Sequence, residues 1–110
     1  MPQSKLLCRL ETIPEGRAIA VEVPSETGGF SLVLVRLGDD VMAYHNECPH
    51  AGRRLDWAPG QFLIEAGMLV CAAHGAAFAL ESGACIGGPC RGQGLHAMRV
   101  VVVDGEVRLL

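Results

Sequence analysis

Cys48-Pro49-His50-Ala51-Gly52 and Cys71-Ala72-Ala73-His74-Gly75 are the two passages that decide how this chain is read. Each offers one thiolate and one imidazole, with a glycine close behind. Residues 51–70 separate His50 from Cys71, far enough to put the two pairs on separate loops. One Cys–His pair is a weak signal, but two such pairs make a four-ligand set for metal. The rest of the chain reads as β scaffold that holds these loops face to face.

Outward from the loops, the punctuation is dense, with 14 Gly and 6 Pro in 110 residues. The runs between are short and rich in β-branched residues, which predicts strands. They fall at Lys5–Leu10, Ala18–Val23, Phe30–Leu37, Val41–His45, Gln61–Glu65, Met68–Cys71 and Ala77–Leu80. The nearly unbroken apolar run of Phe30–Leu37 suits a strand buried on both faces. Ala97–Val103, Asp104-Gly105 and Glu106–Leu109 form the clearest hairpin, since Asp-Gly fits a turn whose two central residues need positive φ. Ala84–Gly94 is expected to be loop throughout. With no convincing amphipathic helix, repeat or linker, the expectation is one all-β domain over residues 1–110.

Only one Trp, one Tyr and three Phe are present, although half of the residues are hydrophobic, so the core must be mainly aliphatic. The formal net charge is −3 and the nine basic residues are scattered, which leaves no basic face for nucleic acid. No apolar run approaches the roughly 18–20 residues that span a bilayer. Met1–Cys8 lacks the apolar core of a secretory signal, so a cytoplasmic setting is expected. There, five cysteines are ligands or thiols rather than a disulfide framework. Cys8 reads as a small buried hydrophobe. Cys85 and Cys90 read as two structural thiols, although a bridge across so short a loop is geometrically conceivable.

A single tetrahedral zinc can take two Cys and two His, but zinc sites usually group like ligands on one knuckle. Here each loop brings one of each. Two similar loops laid side by side would put both sulfurs on one side and both imidazoles on the other. That separation suits a two-iron cluster in which thiolates hold one iron and imidazoles the second.

The sequence resembles a Rieske [2Fe–2S] ferredoxin of the kind that serves ring-hydroxylating dioxygenases. Cys48-Pro49-His50-Ala51-Gly52-Arg53-Arg54-Leu55 fits the first box of that family, and Cys71-Ala72-Ala73-His74-Gly75 with Phe78 fits the second. Gly83 and Gly88-Pro89 fit its following glycine and the loop that covers the cluster. The resemblance implies an antiparallel β sandwich or barrel with an inserted cluster-binding subdomain at about 45–82 and a covering loop at about 84–94. It implies one [2Fe–2S] cluster per chain, with Cys48 and Cys71 on the buried iron and His50 and His74 on the exposed one. By the same resemblance the chain is not itself an enzyme. It takes single electrons from a reductase and passes them to a terminal oxygenase, with no substrate, nucleic acid or membrane of its own. A small subunit of a nitrite-reductase-like complex is the alternative, and a zinc-binding or cluster-free interaction module is a rival of another class.

The departures matter. High-potential relatives carry an extra cysteine in each box, joined as a clamp, where this chain has Arg53 and Ala73. They also carry Ser and Tyr hydroxyls near the second box, where this chain has Ala76 and Phe78. Donors near sulfur favour the reduced state, so a potential at the low end of the range, roughly −150 mV, is expected. If the imidazoles are exposed, that potential should fall as pH rises through their ionisations. Arg53 and Arg54 are either solvated or contacts for an acidic redox partner, and Trp57 is a candidate to pack beneath the first loop. His45 reads as a strand-end residue and His96 as a surface residue.

Overall fold

A computed structural model of the chain describes residues 5–24, 26, 28–49, 53–71, 75–88 and 92–110. All strand pairs in it are antiparallel. The strands are β1 (Lys5–Arg9), β2 (Ala18–Val23), β3 (Phe30–Leu37), β4 (Asp40–His45), β5 (Leu63–Glu65), β6 (Met68–Val70), β7 (Ala77–Ala79), β8 (Cys85–Gly87), β9 (Ala97–Met98), β10 (Val100–Val103) and β11 (Glu106–Leu109). They form three sheets, in the orders β1-β11-β10, β2-β3-β4-β9 and β5-β6-β7-β8. A 3-10 turn, Leu10–Thr12, follows β1. Among the described residues no helix is long and apolar enough to cross a membrane.

The central sheet is the wall between two cores, and β3 shows why. Side chains alternate across a strand. Leu32 and Leu34 enter one core, with Ile13, Val23, Val41 and Val107. Val33 and Val35 enter the other, with Cys48, Cys71, Leu55, Leu69 and Phe78. Leu32, Val33, Leu34 and Val35 are fully buried, and such a side chain contributes roughly 1.5–3 kcal/mol. A charge at any of the four would break one core or the other. The first core closes against β10 and β11. The second closes against β6 and β7 and holds the ligand loops.

Two sequence expectations need correction. Ala97–Val103 is not one strand. Ala97 and Met98 pair with β4 and Val100–Val103 with β11, so the run crosses from one sheet to another at Arg99. The Arg99 carbonyl accepts from the Leu110 N–H at 3.0 Å there. Ala84–Gly94 is not loop throughout either, because Cys85 and Gly87 pair with Phe78 and Ala77 to make β8. The turn of the last hairpin has Asp104 at φ +52° and Gly105 at φ +76°, as the Asp-Gly signal predicts.

Candidate metal centre

The two ligand loops close in the same way. The Cys48 N–H donates to the Arg53 carbonyl at 2.6 Å, and the Cys71 N–H donates to the Ala76 carbonyl at 2.7 Å. Each bond ties a cysteine to the fifth residue after it, so both loops present their thiols from equivalent positions. Both cysteines are reduced and 0% exposed, and both belong to the same buried cluster. His50 and His74 lie outside the described residues.

The first loop is held from below by Asn46, which the sequence reading overlooked. Its backbone N–H donates to the Ser31 carbonyl at 2.9 Å. Its side-chain amide donates to Ser31 Oγ at 3.1 Å, and its Oδ1 accepts from the Leu55 N–H at 2.8 Å. The amide thus joins β3 to both ends of the loop. A short polar side chain just before a ligand cysteine was the available signal, because Asn readily satisfies nearby backbone groups.

Beyond Leu55, Asp56 locks the exit. Its carboxylate takes both Nε and Nη2 of Arg54 at 2.9 Å and the Gly60 N–H at 3.0 Å. Burial alone would raise its pKa. The hydrogen bonds from Arg54 and Gly60 and the guanidinium charge outweigh that, and the carboxyl sits below the usual range. The Asp56 hydrogen bond in turn holds the Arg54 guanidinium above its ordinary value. Asp56 occupies the inside position that Trp57 was a candidate for. Trp57 is instead 63% exposed, on a turn closed by its N–H to the Gln61 carbonyl at 3.0 Å.

The second loop is backed by β6 and β7. Ala76 and Phe78 are fully buried and bring no hydroxyl to the neighbourhood of Cys71. The one buried phenol there, Tyr44, donates to the Leu80 carbonyl at 2.8 Å. Burial, with Glu81 adding repulsion, pushes its pKa up to about 12. Gly83, at φ +76°, lets Tyr44 in, since a Cβ there would lie 2.7 Å from the ring. Gly88 lies against the second loop as closely, for a Cβ would fall 2.6 Å from the Gly75 carbonyl oxygen.

The other candidates fall outside this centre or beside it. His45 ends β4, with its ring 5.3 Å from Phe30 and 4.8 Å from the exposed His96. Cys8 packs on the opposite core, and burial raises its thiol pKa. Arg53 is exposed and makes no ion pair among the described residues. Cys85 corrects an expectation, because it is disulfide-bonded rather than a thiol. The free-thiol reading came from the expected compartment alone. Cys90 lies outside the described residues.

The Rieske [2Fe-2S] domain family matches residues 3–104. The chain belongs to that family. It accordingly carries one [2Fe–2S] cluster, and two buried thiols on equivalently closed loops fit the sulfur-bound half of such a group. Among solved structures, this Rieske domain resembles the ferredoxin of carbazole 1,9a-dioxygenase from Nocardioides aromaticivorans IC177. That pair shares 28% identity over 96% of this chain and 95% of the other, with a TM-score of 0.74. A Sphingomonas yanoikuyae B1 ferredoxin shares the fold at 22% identity, TM-score 0.78 and 97% coverage of both chains. So does a putative NADPH nitrite reductase small subunit, at 24% identity, TM-score 0.68 and 98% coverage of both. A comparison with curated protein sequences gives no match.

Proposed function

We propose that this Rieske domain is a soluble, cytoplasmic one-electron carrier that takes electrons from a reductase and delivers them to a terminal oxygenase. Cys48 and Cys71 hold the buried iron, and His50 and His74 hold the outer one. Residues 45–82 act as the cluster-binding subdomain, and 84–94 as its cover. When bound, the cluster supplies reversible storage of one electron. The chain's own residues seat it, exclude water from its sulfur side and set its potential. The observation that carries the reading is the matched pair of buried cysteine loops. The end-to-end likeness to a dioxygenase ferredoxin supports the choice of partners.

The potential belongs at the low end of the Rieske range. Neutral histidine ligands place it above all-thiolate centres at about −400 mV, because the oxidised core starts with less negative charge. Ala76 and Phe78 withhold the donors that would raise it further, which leaves about −150 mV. Iron and acid-labile sulfide analysis should give two of each per chain, and an anaerobic titration followed by EPR should give the low midpoint. A colourless zinc protein would overturn the cluster assignment, and a midpoint above about +100 mV would overturn the low-potential reading. Stopped-flow mixing with candidate oxygenases tests the role. Failure to reduce any of them, together with tight binding to a sirohaem reductase, would favour a nitrite-reductase subunit.

A further inference from the structure

The two ligand loops close by equivalent bonds but stand on unequal supports. The second loop grows out of a strand ladder. Leu69 pairs with Phe78 and Val70 with Ala77, and one step further on the Cys71 N–H donates to the Ala76 carbonyl. Bonded and non-bonded pairs alternate along an antiparallel ladder, so Leu69 and Phe78 form the next bonded rung behind Cys71 and Ala76. The matching places in the first loop are Asn46 and Leu55, because each stands at the same offset from its cysteine, two before and seven after. Leu55 and Phe78 are alike in burial too, at 1% and 0% exposed, in the core that holds both thiols. Yet Leu55 lies in no strand among the described residues.

Asn46 fills that gap with its side chain. Its backbone N–H is committed to the Ser31 carbonyl of β3 at 2.9 Å. Its Oδ1 accepts from the Leu55 N–H at 2.8 Å, the part that a backbone carbonyl plays behind the second loop. We infer that Asn46 is a positioning residue for the cluster, whose amide stands in for the missing strand rung and fixes where the first loop presents Cys48. The inference rests on the carrier reading above, since only a loaded loop gives that placement a consequence for electron transfer.

The amide has one workable orientation. The Leu55 N–H needs an acceptor, so Oδ1 faces it and the N–H₂ group donates to Ser31 Oγ at 3.1 Å. Asn46 is 5% exposed, so water does not replace a lost bond there, and an unmet N–H on buried Leu55 is costly. One substitution can therefore loosen Cys48 and leave Cys71 in place. No side chain of the second loop has the same leverage, because the rungs behind it are backbone.

Asn46→Ala removes the acceptor. Hydrogen-exchange mass spectrometry should show the peptide containing Leu55 exchanging about tenfold faster, the factor that corresponds to one ordinary hydrogen bond. Residues 69–70 and 77–78 should exchange as before. In the cluster-loaded protein, bleaching by an iron chelator should be several-fold faster, and the EPR g-values of the reduced protein should move. Asn46→Asp keeps an oxygen acceptor at the same reach, and the Ser31 hydroxyl can turn to donate to it. It should restore slow exchange and slow bleaching, even where Asn46→Ala takes up no cluster at all. Val107→Ala loosens the opposite core. It should lower the unfolding midpoint and leave the bleaching rate and g-values as they are. Unchanged exchange at Leu55 in Asn46→Ala would overturn the proposal. So would failure of Asn46→Asp to restore it, or equal bleaching in Asn46→Ala and Val107→Ala, which would make Asn46 a matter of general stability. A wild-type protein without iron and sulfide would sink the carrier reading and the cluster role with it, leaving the rung itself to stand or fall by exchange at Leu55.

Discussion

Asp56 is a carboxylate whose side chain is 1% exposed, yet it is charged, because three donors converge on it from Arg54 and Gly60. A buried charge stands only when it is paired and hydrogen-bonded. Its lowered pKa makes it a source of stability with a definite pH window. The native state holds the proton less tightly than the unfolded chain, whose Asp titrates near about 3.9. The contribution is therefore complete above that value and is lost as pH falls through the lower native pKa. Asp56→Asn puts an amide N–H₂ group opposite a guanidinium or leaves it one acceptor in place of two. Because Arg54 is itself half exposed, a loss of about 1–3 kcal/mol is expected at neutral pH. Urea unfolding followed by circular dichroism should show that gap constant from pH 7 to 5 and narrowing below about 4. A gap that persists unchanged into acid would mean the loss comes from the turn geometry instead of the charge.

At the scale of elements, the turn between β5 and β6 carries a local conflict. Ala66 has φ +49° and Gly67 φ +77°, so both central residues are left-handed, and only one of them is a glycine. A residue with a Cβ in that region costs about 1–2 kcal/mol. Ala66→Gly removes the strain but adds freedom to the unfolded chain, worth about 0.4–1 kcal/mol. The net expectation is a gain of about 0.5 kcal/mol in denaturant unfolding, with the cluster spectrum unchanged. Elements of this kind show what sequence can convey. β3 was readable as doubly buried because alternate Leu and Val residues leave no polar face. The Asp104-Gly105 turn was readable because its residues meet the φ requirement. β8 was hidden because Cys85-Ile86-Gly87 is too short and too glycine-rich to show a period, and it exists only by pairing with β7. The break at Arg99 was hidden because Ala97–Val103 holds no glycine or proline, so the run looks the same whether one sheet or two sheets take it. At the centre, Cys48 and Cys71 were legible from their spacing to histidine. Their common closure onto Arg53 and Ala76 was not, since the two boxes differ in spacing. Trp57 was misplaced because apolarity marks a residue as suited to burial, whereas the three donors around Asp56 decide which neighbour is inside.

The whole molecule carries a formal charge of −3, and its positive charge beside the first ligand loop runs against that balance. Arg54 is neutralised by Asp56 at 2.9 Å and Glu22 at 3.4 Å. Arg53 is exposed and has no ion pair among the described residues, so it is the cation the loop presents outward. Electron transfer between proteins requires the donor and acceptor to meet with their centres close, and a charge at that meeting point acts on encounter more than on the lifetime of the complex. The exposed Trp57 four residues on adds a rigid aromatic of the kind that anchors interfaces. For an oxygenase or reductase with carboxylates at its docking face, Arg53→Glu should slow the second-order rate by about tenfold at low salt. The difference should shrink as ionic strength rises and the screening length falls to about 8–10 Å. The midpoint potential should stay the same, which separates docking from any change in the cluster. Stopped-flow rates at several salt concentrations, set beside the two potentials, decide it. Equal rates for the two proteins at low salt would place the meeting surface elsewhere on the molecule, and a shifted potential would assign the effect to the loop's hold on its iron.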